Sequence, residues 1–248
     1  MNIFEIIKKG ALKFWKNPVL GIPNLLNTLL TYIPTLIFIL IIASLTGVPA
    51  MSLLTNPDAL TAESLADHLT VLVVLIIAVF IVWALISAFF EGILINMLNS
   101  NKIRFSFEGK RFFGRIFGFE MLFAAYIIIC FGIIALLSIL FAAISLWLLL
   151  IPLILTIMLF ISLLFPSLAA YYIVIKDCGI NEAIKLSCMT VGKKYFKLLG
   201  LGVILGIIAM PLSMLFGLIP VVGTAIISIL LVTFIRICLY IFVIDSRK

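Results

Sequence analysis

Residues 69–90 read LTVLVVLIIAVFIVWALISAFF, twenty-two positions without one charged side chain. At about 1.5 Å per residue, a helix of about 20 such residues crosses the roughly 30 Å hydrocarbon core of a bilayer. Inside lipid a backbone must satisfy its own hydrogen bonds, so a run of this kind spans as a helix. Outward from it, comparable runs lie at about 24–46, 116–143, 147–175, 198–219 and 221–244. The pattern predicts an all-α membrane protein with six transmembrane helices, the second extending as an exposed stretch to Leu98.

Composition agrees. The 248 residues are 65% hydrophobic and 11% charged, with mean hydropathy +1.41, against roughly 25% charged residues in ordinary soluble domains. No polar stretch is long enough for a soluble catalytic module, so residues 1–248 read as a single integral membrane domain. Asn24 to Gly47 is too long for the apolar part of a removed leader, and is expected to be an uncleaved first helix.

The net charge of +7 would suit nucleic acid if read alone, but its placement excludes that partner. All seventeen lysines and arginines fall on one side of the six spans: before span one, between spans two and three, between spans four and five, and in span six and the tail. The positive-inside bias therefore predicts a cell-membrane protein with both termini cytoplasmic. The opposite connections are 48–68, a turn near Ser145, and 219–224. Asp58, Glu63 and Asp67 lack the dense alternation of a calcium loop. Asn56 and Pro57 suit the N-cap and first position of a short helix.

Three segments on the basic side are expected to be amphipathic interfacial helices. Ile3, Phe4, Ile7, Ala11 and Phe14 recur at helical spacing among Lys8, Lys9, Lys13 and Lys16. Residues 103–117 set five phenylalanines among basic residues, and Ile180, Ile184, Val191 and Tyr195 form a third stripe. Such helices bury rings and leave cations near anionic headgroups. Lys110, Arg111, Arg115, Lys185, Lys193 and Lys194 are the expected headgroup contacts, with another membrane protein as the alternative partner for that face. Each segment precedes a hairpin of two spans. The similar strings FEIIK (4–8), FEGK (107–110) and NEAIK (181–185) suggest three units repeated about an axis along the membrane normal.

Ionisable residues within spans are costly and mark function by default. Here they are Glu91, Glu120 and Arg236. Helical side chains lean toward the helix amino terminus. On the expected topology Arg236 and Glu91 lean toward the membrane centre and Glu120 leans away, so Glu91 is the favoured partner and Glu120 the second. Such a group is either an ion pair holding helices together or the core of a relay. Gly202 and Gly206, with Gly200, suggest close helix packing. Pro23, Pro34, Pro152, Pro166 and Pro211 are expected at kinks or span ends.

Templates for catalysis are missing. There is no HExxH, GxSxG or Walker A string, and the single histidine, His68, has no neighbouring cysteine. Cys130, Cys178, Cys188 and Cys238 form no CxxC pair. No catalytic residue, metal site or cofactor is expected.

From Phe165 the chain reads FPSLAAYYIVIKDCGINEAIKLSCMTVGKKYFKLLGLGVILGI, and from Ile219 IPVVGTAI. This order resembles prokaryotic polytopic families of unknown function allied to the membrane domain of glycerophosphodiester phosphodiesterases. The shared pattern is a span ending in proline and aromatics, an Asp-x-Gly turn, an Ala-x-x-x-Ser helix, a glycine-rich span and Ile-Pro-x-x-Gly. Asp177, Gly179, Ala183, Ser187, Pro220 and Gly223 occupy those places. The resemblance implies a six-helix membrane domain of unassigned activity. The phosphodiesterase barrel and its carboxylates have no counterpart in this sequence. The expected role is a non-enzymatic structural or accessory component that engages lipids or membrane partners through its basic face. The alternative is a small-solute or lipid transporter built on Glu91, Glu120 and Arg236.

Overall fold

A computed structural model describes residues 1–49, 52, 68–100, 107–144, 148, 150–216, 223, 226 and 228–246. The loop carboxylates Asp58, Glu63 and Asp67, the helix start at Asn56 and Pro57, the turn at Ser145, and Pro220 lie outside the described residues. Those residues are almost wholly helical, and none of them is in a strand.

The first helix, α1 (Ile3–Lys16), opens on a reciprocal cap: Asn2 Oδ1 accepts from the Glu5 amide at 2.8 Å, and Glu5 Oε2 accepts from the Asn2 amide at 3.2 Å. Its apolar residues serve two surfaces. Ile6 and Gly10 are buried against the rest of the chain, while Phe4 is 73% and Trp15 86% exposed. A short 3₁₀ turn (Pro18–Gly21) leads into α2 (Ile22–Thr46), which contains Pro34. Then come α3 (Leu69–Asn99), a 3₁₀ segment (Phe107–Phe112) and α4 (Phe113–Ile144).

After α4 the structure departs from six long spans. Among the described residues, five helical stretches are long and apolar enough to cross a membrane: Pro18–Thr46, Leu69–Asn99, Phe107–Ala142, Ile180–Met214 and Ile229–Ser246. The run expected at 147–175 is instead broken into α5 (Leu150–Leu163) and α6 (Ala169–Lys176). Pro166 accounts for the break, because it has no amide hydrogen and its ring clashes with the carbonyl one turn back. Ser187 holds the interrupted backbone: its hydroxyl donates to the Phe165 carbonyl and accepts from the Leu168 amide at 3.1 Å. Ala169 to Val174 are all buried, so α6 is a central core helix rather than a lipid-facing one.

The next helix, α7 (Ile180–Phe216), merges the third basic segment with the following apolar run. It bends at Lys194, where φ is −126° and ψ 28°. A π turn (Ser228–Val232) precedes α8 (Thr233–Ser246). The three basic-aromatic segments thus take three forms: a separate α-helix, a 3₁₀ turn, and the first half of a bent helix.

Packing is concentrated at one end. Ile6, Leu20, the Ala88–Leu98 stretch of α3, Phe112, Ile116, α6, and Ile237 to Val243 contribute to one core, so the end of α3 up to Leu98 is buried rather than exposed as its sequence suggests. Away from this basic end, α3 between Val73 and Trp83, α4 beyond Leu122, and most of α5 present large apolar side chains outward. There the helices run as pairs. Trp83 Nε1 donates to the Thr31 carbonyl at 3.1 Å between α3 and α2, and Tyr126 hydrogen-bonds Ser162 at 2.8 Å between α4 and α5. Within the core, Asn24 Nδ2 donates to Thr233 Oγ1 at 2.7 Å, a buried polar tie between α2 and α8.

Glycines mark the closest approaches, though not where GxxxG spacing suggests. Gly202 and Gly206 are exposed, and a Cβ on either would meet open space. That face of α7 points away from the described bundle. At Gly109, by contrast, a Cβ would lie 2.5 Å from Ile93 Cα and 2.6 Å from the Gly92 carbonyl oxygen. The 3₁₀ segment therefore lies directly on the α3 backbone.

Candidate functional site

Two polar arrangements stand out from the apolar background. The first lies among the spans. Arg236 on α8 sets Nη2 3.3 Å from Glu91 Oε2 on α3, with both side chains less than one-fifth exposed. Tyr171, on the central α6, donates from its hydroxyl to the Arg236 carbonyl at 3.2 Å. Glu120 on α4 lies within electrostatic reach of both partners. Among the described residues it has no cation at salt-bridge distance, so the group holds two carboxylates and one guanidinium.

Glu120 also lines a cavity of about 340 Å³ with Asn27 and Thr31 of α2 and Phe80, Trp83 and Ser87 of α3. Asn27 Oδ1 is buried and accepts no hydrogen bond from the described residues. The sequence reading did not single out Asn27, Thr31 or Ser87. Their signal was available: Asn24, Asn27, Thr28, Thr31 and Thr35 repeat at three- and four-residue intervals in an apolar span, and Ser87 stands one turn from Glu91.

The second arrangement is at the basic end. Tyr172 and Lys176 of α6, Thr190, Lys193 and Lys194 of α7, and Ser246 of α8 line a cavity of about 370 Å³. The bend at Lys194 brings its ammonium to the end of α8, where it donates to the Asp245 carbonyl at 3.3 Å. Lys197 pairs with the Asp245 carboxylate at 2.9 Å. Lys176 and Lys193 are exposed, and neither has a partner among the described residues.

The expected headgroup contacts separate into two groups. Lys110, Arg111, Lys185 and Lys193 are exposed. Arg115 is engaged within the chain, donating to the Asp177 carboxylate and to the Cys178 carbonyl at 3.1 Å. That clamp holds the turn between α6 and α7, where Asp177 has φ 51°, the one non-glycine residue with positive φ among those described. Lys13 is likewise internal: Nζ donates to the Leu98 carbonyl at 3.1 Å near the end of α3 and lies 4.7 Å from the centre of the Tyr240 ring. Burial pushes its pKa below the ordinary lysine value. Cations at helix carboxyl ends satisfy carbonyls that the helix leaves open.

Together, the fold and these groups define a multi-pass, all-α membrane protein with charged and polar residues inside its spans. Comparison with family models, curated proteins and solved structures gives no match to this chain.

Proposed function

We propose that the chain is a non-enzymatic accessory component of the cell membrane whose basic end binds anionic lipid headgroups. On this reading both termini are cytoplasmic and the membrane is crossed six times, with α5 and α6 together forming the fourth crossing. The observation that carries it is the cavity of about 370 Å³ edged by Lys176, Lys193 and Lys194. Two of those ammoniums have no internal partner among the described residues, and of the Tyr172 and Thr190 hydroxyls, which are hydrogen-bonded to each other, one keeps its proton free to donate. A phosphodiester is singly charged and rich in acceptors, which suits that set.

The surroundings support an interfacial setting. Phe4, Trp15, Phe107 and Phe196 are more than half exposed at the same end as the exposed lysines, the mixture found where helices rest at headgroup level. Kinship with the families allied to the glycerophosphodiester phosphodiesterase membrane domain belongs to this proposal. It is supported by the work done by the pattern residues: Asp177 forms the left-handed turn, and Ala183 and Ser187 pack one buried face of α7.

Native mass spectrometry of the purified full chain tests the reading. Phosphatidylglycerol should be retained over phosphatidylcholine. Juxtamembrane cations contribute about 1 kcal/mol each, so Lys176→Gln with Lys193→Gln should reduce retention by more than about tenfold. Equal retention of the two lipids by the unaltered protein would overturn it.

A further inference from the structure

We propose that the cavity between α2, α3 and α4 is an intramembrane binding site for a protonated primary amine attached to an apolar body. The proposal is independent of the basic end and concerns a ligand of opposite charge.

The polar groups around the cavity include acceptors short of donors. Asn27 Oδ1 is buried with no partner among the described residues. The Thr31 hydroxyl directs its proton to carbonyls of its own helix, those of Asn27 and Thr28 at 2.9 Å, which leaves its oxygen able to accept. The Trp83 indole N–H is committed to the Thr31 carbonyl. The acidic side chains point the same way. Arg236 is engaged by Glu91, so among the described residues Glu120 brings to the cavity wall a carboxyl group with no cation at salt-bridge distance.

An ammonium brings three N–H donors and one positive charge. It can meet the Glu120 carboxylate, the orphaned amide oxygen and a hydroxyl together, and the aromatic walls favour a cation. An anion would meet two acidic side chains, Glu91 and Glu120, across the group. A bare metal ion would leave the apolar walls unused. Those walls, Phe80 and Trp83, are 40% and 46% exposed, so the cavity opens sideways where lipid chains lie, and an apolar body can extend there. Two sources share this chemistry: a free amphiphilic amine, and the headgroup of phosphatidylethanolamine.

Hexylammonium is the probe, with hexanol as its neutral counterpart. Both are titrated onto the full chain in phosphatidylcholine nanodiscs, with Trp83 emission followed in a Trp15→Phe, Trp147→Phe background. Hexylammonium should bind saturably, and Glu120→Gln should weaken it at least tenfold without lowering the melting temperature. Asn27→Asp, which adds a second carboxylate, should tighten binding. Equal affinity for hexanol and hexylammonium, or unchanged hexylammonium affinity in both variants, would reduce the effect to partitioning into the bilayer and overturn the proposal. Repeating the titration with phosphatidylethanolamine in the disc identifies the source. Competitive weakening assigns the site to the lipid headgroup, and unchanged affinity assigns it to a free amine.

Discussion

Arg236 shows how one residue organises its neighbourhood. It lies inside an apolar helix, Glu91 answers it at 3.3 Å from another helix, and Tyr171 reaches its carbonyl from a third. Removing one member of a buried pair strands the other at a cost of about 3–5 kcal/mol, whereas removing both is far milder. Arg236→Ala should therefore melt several degrees below the unaltered protein. Adding Glu91→Ala should recover much of that loss, and the double-mutant cycle should give coupling of at least about 1 kcal/mol. Coupling near zero would mean that the contact does not stabilise the fold. The choice of Glu91 over Glu120 was legible in the sequence, because side-chain lean along a helix is a local property. Asn27 was less legible, since one amide in an apolar run becomes informative only when α3 and α4 are seen to enclose it. Arg115 illustrates the opposite limit. Its placement in a basic stretch suggested lipid, but the Asp177 carboxylate is sixty-two positions away and only the fold joins them.

Among the elements, the fourth apolar run teaches the most. Its length predicted one span, and its composition concealed that Phe165-Pro166-Ser167 divides it into α5 and α6. Hydropathy averages over such a break, because both halves are apolar for different reasons: α5 faces outward and α6 is buried in the core. Proline at 166 was a visible warning, yet a proline within a membrane helix can also produce only a kink. Here Pro34 lies inside the continuous α2, whereas Pro166 sits in a true interruption. The difference lies in Ser187, which satisfies both freed backbone groups. Ser187→Ala should leave a buried amide and carbonyl short of partners, costing about 1–3 kcal/mol and lowering the melting temperature. Ser167→Ala is the control, since that exposed hydroxyl bonds only the Leu164 carbonyl of its own turn. If the two variants melt alike, Ser187 does not hold the break.

For the whole molecule, the charge map is the most legible feature, and it leads to a direct test of the proposed topology. With the four cysteines replaced, Ser64→Cys and Ser106→Cys should react with impermeant maleimide from opposite sides of intact cells, Ser64→Cys from outside. Reaction of Ser106→Cys alone from outside would reverse the orientation. Less legible was the distribution of packing. Apolar side chains facing lipid and apolar side chains facing a neighbour look identical in sequence, so nothing in the composition separates the dense end from the open one. That asymmetry has a mechanical consequence. Two helix pairs, α2 with α3 and α4 with α5, rise from a shared root like levers on a fixed hinge block. About 15 residues of α3, between Leu69 and Trp83, extend beyond the root, an arm of roughly 22 Å. A tilt of about 10° moves its tip sideways by roughly 4 Å, so the gap between the two pairs can widen or narrow for a lateral guest while the root stays as it is.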